Sequence, residues 1–519
     1  MFPNSPKGLV YPGDPGIPKT LAPTRYNNFA PRIGIAYSPS FRDGILGKVF
    51  GGPGKTSIRA SYGIYYTSVE DLNLFYEVGD APFGLYHTSS QPVLFEEPYR
   101  SRQDGTDLGQ KFPFTTPIPG SPANKTLSFA PYEPMTYFPG YDIHNQLPYA
   151  EHFNFSIQRE LSRSTVLTLS YVGTEGHRLI AQTEANPGNP ALCMQLTAQG
   201  YFDQTATTAG CGPNAEQDVY TLTPGTPCAG PPCIYGTRDT LLNPNYCPAV
   251  NNLCFADHNT FTKLVANSIY NAGEVTIERK AGDVTFLAAY TLAKAIDDSS
   301  AFGELVNYQN AKLSRGLSSA DVHHNFVVSY MWAIPFDRAF HRLPKRLTQG
   351  WQLQGITRFA TGFPIQMSQS ATDSSLVGTQ GVDMPNLVGP IHIHNPRATP
   401  GTFTYFDSSA FAPTSCTFSG GVWSPDCGTF GTANRRFFHG PGMNNTDFGI
   451  TKRIQVTEAK AFEIRGEFFN IFNHAQFLNP SGNIHDDTTD PNGNLVGPFG
   501  QVTSARAPRI GQLSGKFIW

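Results

Sequence analysis

The residues with the clearest chemical potential in this chain are its eight cysteines. Cys193, Cys211, Cys228, Cys233, Cys247 and Cys254 crowd one stretch, and Cys416 and Cys427 share another. Pairs confined to segments rich in Gly, Pro, Asn and Thr are the pattern of disulfides made in an oxidising compartment. Cys416–Cys427 is one expected pair; the six cysteines of the first stretch allow fifteen pairings, among which the sequence neighbours Cys228–Cys233 and Cys247–Cys254 are favoured. A metal cluster is the poorer reading, because no C-x-x-C occurs and histidines are sparse nearby. Asp486-Asp487-Thr488-Thr489-Asp490-Pro491-Asn492-Gly493-Asn494 is rich in oxygen ligands but fails the EF-hand spacing and reads as an Asn-Gly turn. Gly51-Gly52-Pro53-Gly54-Lys55-Thr56 imitates a phosphate loop. The first glycine of G-x-x-x-x-G-K-[ST] would have to stand at Val49, and a strand pattern follows instead of a helix. His323-His324 reads as a surface or girdle pair. No Ser-His-Asp order, paired carboxylates or nucleophile elbow stands out, so no enzyme, cofactor or metal site is expected.

Elements that could carry these residues show in the periodicity. Ile58, Ala60, Tyr62, Ile64 and Tyr66 alternate with Ser57, Arg59, Ser61, Gly63 and Tyr65. The same period of two recurs about eleven times: around 33–37, 58–66, 153–157, 167–171, 274–278, 286–292, 326–334, 351–353, 447–454, 462–468 and 511–519. Alternation over about ten residues is the signature of strands that cross a membrane with one greasy and one polar face. Only 15% of the 519 residues are charged and 13% are aromatic, against about 25% charged in ordinary globular chains. The formal net charge of −3 gives no reason to expect a nucleic-acid partner. No run reaches the roughly 18 apolar residues that a spanning helix needs, so a membrane protein of this composition must be a barrel.

Short and long connections alternate. Short turns are expected near 162–164, 281–283 and 456–459, and medium ones at 39–54 and 335–350. Long excursions are expected at 67–149, 180–267, 298–321, 368–443 and 475–507. That is the layout of short periplasmic turns and long extracellular loops, whereas a β-sandwich does not carry such loops. Trp332, Trp351 and Trp519 then form a periplasmic aromatic girdle. Leu513, Phe517 and Trp519 mark a C-terminal strand for the barrel-assembly machinery. Glu274, Glu278, Arg358, Glu463, Arg465 and Glu467 are the charges expected to face the lumen.

Several stretches are similar to one family. Asn27-Asn28-Phe29-Ala30-Pro31-Arg32-Ile33-Gly34, Ala289-Tyr290-Thr291-Leu292-Ala293-Lys294-Ala295-Ile296-Asp297-Asp298 and above all Arg465-Gly466-Glu467-Phe468-Phe469-Asn470-Ile471-Phe472-Asn473-His474 resemble the barrel region of TonB-dependent receptors of the Oar-like group. The resemblance runs over essentially the whole chain. It implies an all-β, antiparallel transmembrane barrel of 22 strands in the bacterial outer membrane, plugged by an N-terminal domain and energised by the TonB complex. About eleven strands are half of that, and neither a plug nor a TonB-contact segment is found. Met1-Phe2-Pro3-Asn4-Ser5-Pro6 does not read as a signal peptide. The expectation is that residues 1–519 are the C-terminal part of the barrel domain.

Two other functions fit the sequence. One is an Oar-like barrel for surface adhesion or secretion. The other is a secreted carbohydrate-binding β-protein displaying loop aromatics such as Trp423, Phe437 and Phe438. As an importer, the chain would take a metal chelate or glycan at its outer loops and have outer-membrane lipid around it.

Overall fold

Alternating side chains leave each segment with two unlike faces, and such strands are stable only in a sheet that gives each face its own solvent. The computed structural model describes residues 2–5, 9–20, 24–68, 140–184, 260–369, 381–414, 416–486 and 495–519, with short pieces between them. Its main sheet follows chain order through eleven antiparallel strands. These are β1 (Arg32–Tyr37), β2 (Thr56–Tyr66), β3 (Tyr149–Ser162), β4 (Thr165–Glu184), β5 (Thr260–Ala281), β6 (Val284–Asp297), β7 (His324–Ile334), β8 (Trp351–Ala360), β9 (Met443–Gln455), β10 (Ala461–Phe469) and β11 (Ile510–Ile518). All eleven expected strands are present. Two short strands, Gly140–Tyr141 and Gly316–Leu317, join the sheet off this path. Among the described residues β1 and β11 are open edges, and no helix is long and apolar enough to cross a membrane.

The connections fall into two sets. Those after β1, β3, β5, β7 and β9 lie at one end, and those after β2, β4, β6, β8 and β10 lie at the other. The first set is the shorter of the two. Gly282 and Gly350 hold positive φ of 71° and 76° in its turns, a conformation that costs other residues strain. A Cβ on Gly350 would also stand 2.2 Å from the Arg453 carbonyl oxygen.

One boundary differs from the sequence reading. β4 and β5 run on to Glu184 and back to Thr260, well into the excursion expected at 180–267. A bulge between Gly176 and Leu179, with Arg178 at φ 56°, marks where the pair leaves the regular wall. Beyond it the hairpin is covered by neighbouring loops. The Leu264 amide donates to Asn145 Oδ1 (2.8 Å), and the Val306 amide donates to the Gln182 carbonyl (2.8 Å). Ala181, Ala266 and Val306 form a small buried cluster there.

Two of the long connections share a core of their own. The described parts of 361–442 and 470–509 fold together around Ile365, Met367, Phe406, Phe411, Ile484 and Phe499, all at most 3% exposed. Phe406 is the hub, edge-on to Phe499 (5.2 Å), Phe438 (5.4 Å) and Phe411 (5.7 Å), the geometry aromatic quadrupoles favour. This cap is a second hydrophobic core, separate from the wall, whose Ile, Phe and Leu side chains are largely exposed along the strands.

Candidate functional site: a polar wall and its cap

The registers settle which side chains share a face. Glu463, Arg465 and Glu467 stand opposite Lys516, Ser514 and Gln512 on β11, and opposite Arg453, Thr451 and Gly449 on β9. Continuing across β8, β7 and β6, the same face carries Gln354, Arg358, Asn325, Ser329 and Thr291, and reaches Glu274 and Glu278 on β5. The six charges singled out from sequence therefore share one face. Glu463, Arg465 and Glu467 touch, with Arg465 reaching Glu463 at 3.0 Å and Glu467 at 3.6 Å. The opposite face carries Ile58, Ile157, Leu169, Ile277, Phe286, Val328, Leu353, Ile450, Ile464 and Leu513. A groove of about 570 Å³ runs over the polar face from Glu278 through Gln354 to Glu467, which makes that face concave.

Trp351 opens β8, Trp332 lies near the end of β7 and Trp519 follows β11, all at the short-turn end. Phe517 and Trp519 stack at 6.2 Å, and Leu513 is 84% exposed on the apolar face. Cys416 and Cys427 form a disulfide in the cap. Cys193, Cys211, Cys228, Cys233, Cys247 and Cys254 lie outside the described residues. His323 and His324 are held locally, through Nδ1 contacts with the Ala293 carbonyl and the Tyr290 hydroxyl, each at 2.8 Å. Of the oxygen-rich 486–494 stretch only Asp486, Thr488 and Thr489 are described. No metal-holding group of acids, His or Cys occurs among the described residues.

The cap is fastened to the wall by an ionic cluster to which the sequence reading assigned no role. Asp297 ends β6 and is buried, as is Asp298 beside it. The Arg435 guanidinium, 3% exposed, pairs with the Asp297 carboxylate, donates to the Asp297 carbonyl (2.8 Å) and meets Glu304 at 2.6 Å. Arg436 reaches Glu304 at 2.8 Å and the Ser300 hydroxyl at 3.0 Å. Arg315 pairs with Asp298 at 3.2 Å. Burial alone would raise the Glu304 carboxyl, but Arg435, the Ser300 amide and Arg436 together hold it below the usual value. Burial lowers Arg436 despite those acids, and pushes the Tyr405 hydroxyl up to about 12. A cavity of about 540 Å³ bordered by Glu304, Lys312, Asn434 and Arg435 opens beside the cluster. A second, of about 190 Å³, joins Arg358 on the wall to Phe363, Gln476 and Arg506 in the cap. The available sequence signal was two charged doublets, Asp297-Asp298 and Arg435-Arg436, in a chain poor in charge.

An open antiparallel wall, greasy on one face and concave and polar on the other, fits one kind of solvent pair. The profile of the outer membrane beta barrel domain matches residues 1–512. The chain belongs to that family. The wall is accordingly outer-membrane barrel, and its apolar face meets lipid. No curated protein sequence matches the chain. Among solved structures the chain is similar to the outer membrane transporter YddB from Escherichia coli, with 7% identity, TM-score 0.39 and 89% of this chain covered. It is also similar to the ferric-catecholate import receptor Fiu from K12 E. coli, with 9% identity, TM-score 0.34 and 94% covered. The FrpB iron transporter from Neisseria meningitidis matches with 8% identity, TM-score 0.35 and 95% covered. The chain spans 38%, 34% and 39% of those three structures.

Proposed function

We propose that this chain builds the C-terminal part of the wall, and the ligand-facing cap, of a TonB-dependent receptor that takes up a bulky nutrient such as a metal chelate or a glycan. The observation that carries the reading is the open sheet. Eleven strands in unbroken antiparallel order, without closure among the described residues, suit a barrel of the 22-strand class, whose wide lumen is plugged in outer-membrane transporters. The Oar-like motifs on β1, β6 and β10 point the same way. In such a barrel the concave face with Glu274, Glu278, Arg358, Glu463, Arg465 and Glu467 lines the lumen and faces the plug. Trp332, Trp351 and Trp519 sit in the periplasmic girdle, and the cap is the entrance.

The test is growth on a panel of ferric chelates and oligosaccharides in cells carrying the gene, with and without a working TonB. Uptake that depends on both the gene and TonB is expected. Uptake indifferent to TonB would sink the energy-coupling part, and closure of the isolated chain as a heat-modifiable barrel would sink the partial-wall part. A surface-adhesion barrel is the second reading, favoured by the disulfide-closed, independently cored cap. Ligand-independent attachment of cells to solid surfaces, lost with the cap, separates it from the first.

A further inference from the structure

At the short-turn end, the connections after β1 and β7 are longer than the other three and repeat one arrangement. Each contains short helices, Gly44–Phe50 in the first and Phe336–Ala339 with Lys345–Thr348 in the second. Each folds back towards the apolar face of the wall. In the first, Thr56 and Arg159, register partners on that face, donate to the carbonyls of Phe50 (2.7 Å) and Lys48 (3.0 Å). In the second, Trp351 and Lys452, also register partners there, both donate to the Leu347 carbonyl, at 2.7 and 2.9 Å. Phe336 packs edge-on to Trp351 at 6.1 Å.

What these turns leave outside is unusual for a water-facing surface. Ile45 is 81% exposed and Leu347 62%, and Leu46, Val49, Phe340 and Leu343 are each at least half exposed. Around them stand Arg42, Lys48, Arg342, Lys345 and Arg346, all exposed and without an ion pair among the described residues. The whole chain is formally −3, so this positive charge is local. Apolar residues interspersed with basic ones suit a headgroup boundary, where hydrocarbon and anionic phosphate lie a few ångströms apart. The surface is continuous with the lipid-facing wall at Trp351.

We propose that these two connections dock anionic phospholipid headgroups, the apolar side chains entering the acyl boundary and Arg342, Lys345 and Arg346 holding phosphate. The proposal rests on the reading that the short-turn end faces the periplasm, since the inner leaflet there is phospholipid.

The test uses outer membranes from cells producing the full chain. A membrane-impermeant maleimide applied to whole cells checks the orientation. Val422→Cys, in the cap, is expected to react and Leu347→Cys is not; labelling of Leu347→Cys from outside overturns the orientation reading and the proposal with it. Extraction into polymer-bounded discs then reads the lipid retained with the protein. Phosphatidylglycerol is expected to be enriched over phosphatidylethanolamine. The Arg342→Gln/Lys345→Gln/Arg346→Gln variant is expected to lose about tenfold of that preference. No enrichment around the native chain, with Leu347→Cys protected in cells, overturns the docking while leaving the orientation intact. Enrichment that the triple variant leaves unchanged overturns the role of the three basic residues.

Discussion

Replacing Arg435 by methionine keeps most of the side-chain volume and removes the cation that joins cap to wall. Asp297 then retains only the Ser300 hydroxyl, at 2.7 and 2.9 Å. Glu304 retains Arg436 at 2.8 Å and the Ser300 amide at 2.8 Å. Glu304 is thus partly spared, while Asp297 is left as a buried charge with no direct ion pair among the described residues, only the Arg436 charge beyond the Ser300 hydroxyl. Removing one partner of a buried pair costs about 3–5 kcal/mol, and the surviving contacts place this case at about 3 kcal/mol. By the tenfold per 1.4 kcal/mol rule that is about a hundredfold rise in cap opening. Two amides report it directly: Met367 donates to the Arg435 carbonyl (2.7 Å) and Leu317 to the Arg436 carbonyl (3.0 Å). Hydrogen exchange at both is expected to quicken about a hundredfold, while amides of β7, in the middle of the wall, stay unchanged. Adding Asp297→Asn should restore part of the protection, because the uncompensated charge is gone. A change below threefold at Met367 and Leu317 refutes the claim that the cluster fastens the cap. Equal loosening of β7 refutes the separation of cap from wall.

Four further outcomes follow from particular residues. The Glu304 carboxyl is held below its ordinary 4.5, so its contribution is complete above that pH and disappears as pH falls through the lower folded value; a near-ultraviolet circular dichroism titration of the cap should show an acid transition below about pH 4.5 that Glu304→Gln diminishes. Leu513→Arg, on the apolar face of β11, should cost about 2–4 kcal/mol at mid-membrane depth and cut the folded fraction in outer membranes, whereas Ser514→Arg, opposite Arg465 on the polar face, should leave it nearly unchanged. Gly350→Ala should cost about 1–3 kcal/mol, from positive φ and a carbonyl 2.2 Å from the added Cβ, read as a lower heat-modification temperature of the assembled receptor on gels. Serine at both Cys416 and Cys427, which are 11 residues apart, should weaken that part of the cap by about 3 kcal/mol, read by exchange at the Cys427 amide, which donates to the Ser424 carbonyl (3.1 Å).

The wall was legible because lipid and lumen impose opposite demands on successive residues, and β2, β7 and β10 record those demands without interruption. The outer parts of β4 and β5 were not. There Leu179-Ile180-Ala181-Gln182-Thr183-Glu184 is covered by loops on both sides, so alternation has no solvent contrast to report. The cap was illegible for a different reason. Phe406, Phe438 and Phe499 converge from two loops with no common period, and Arg435 finds Asp297 across 138 residues. Such long-range pairings leave only a compositional trace, the charged doublets. The six charges of the polar face were readable because each sits at a fixed parity within its strand, not because their partners could be seen.

The count of strands among the described residues constrains how the wall can close. Along an antiparallel path in chain order, direction reverses at each step, so β1 and β11 point the same way. Joining those two edges, within one chain or between two copies related by a twofold along the barrel axis, gives a parallel seam. An antiparallel seam needs an odd number of intervening strands, and eleven would make the 22 of the large transporter barrels. The edges carry matching chemistry for such neighbours. Ile33, Ile35 and Tyr37 on β1, and Leu513 and Phe517 on β11, are exposed on the lipid side, while Arg32 and the Ser514–Lys516 side of β11 stand on the lumen side. Lipid tolerates no unpaired strand edge. Each edge therefore asks for a strand that keeps the same alternation and runs antiparallel to it, and a second copy of this wall supplies that alternation only with the direction reversed.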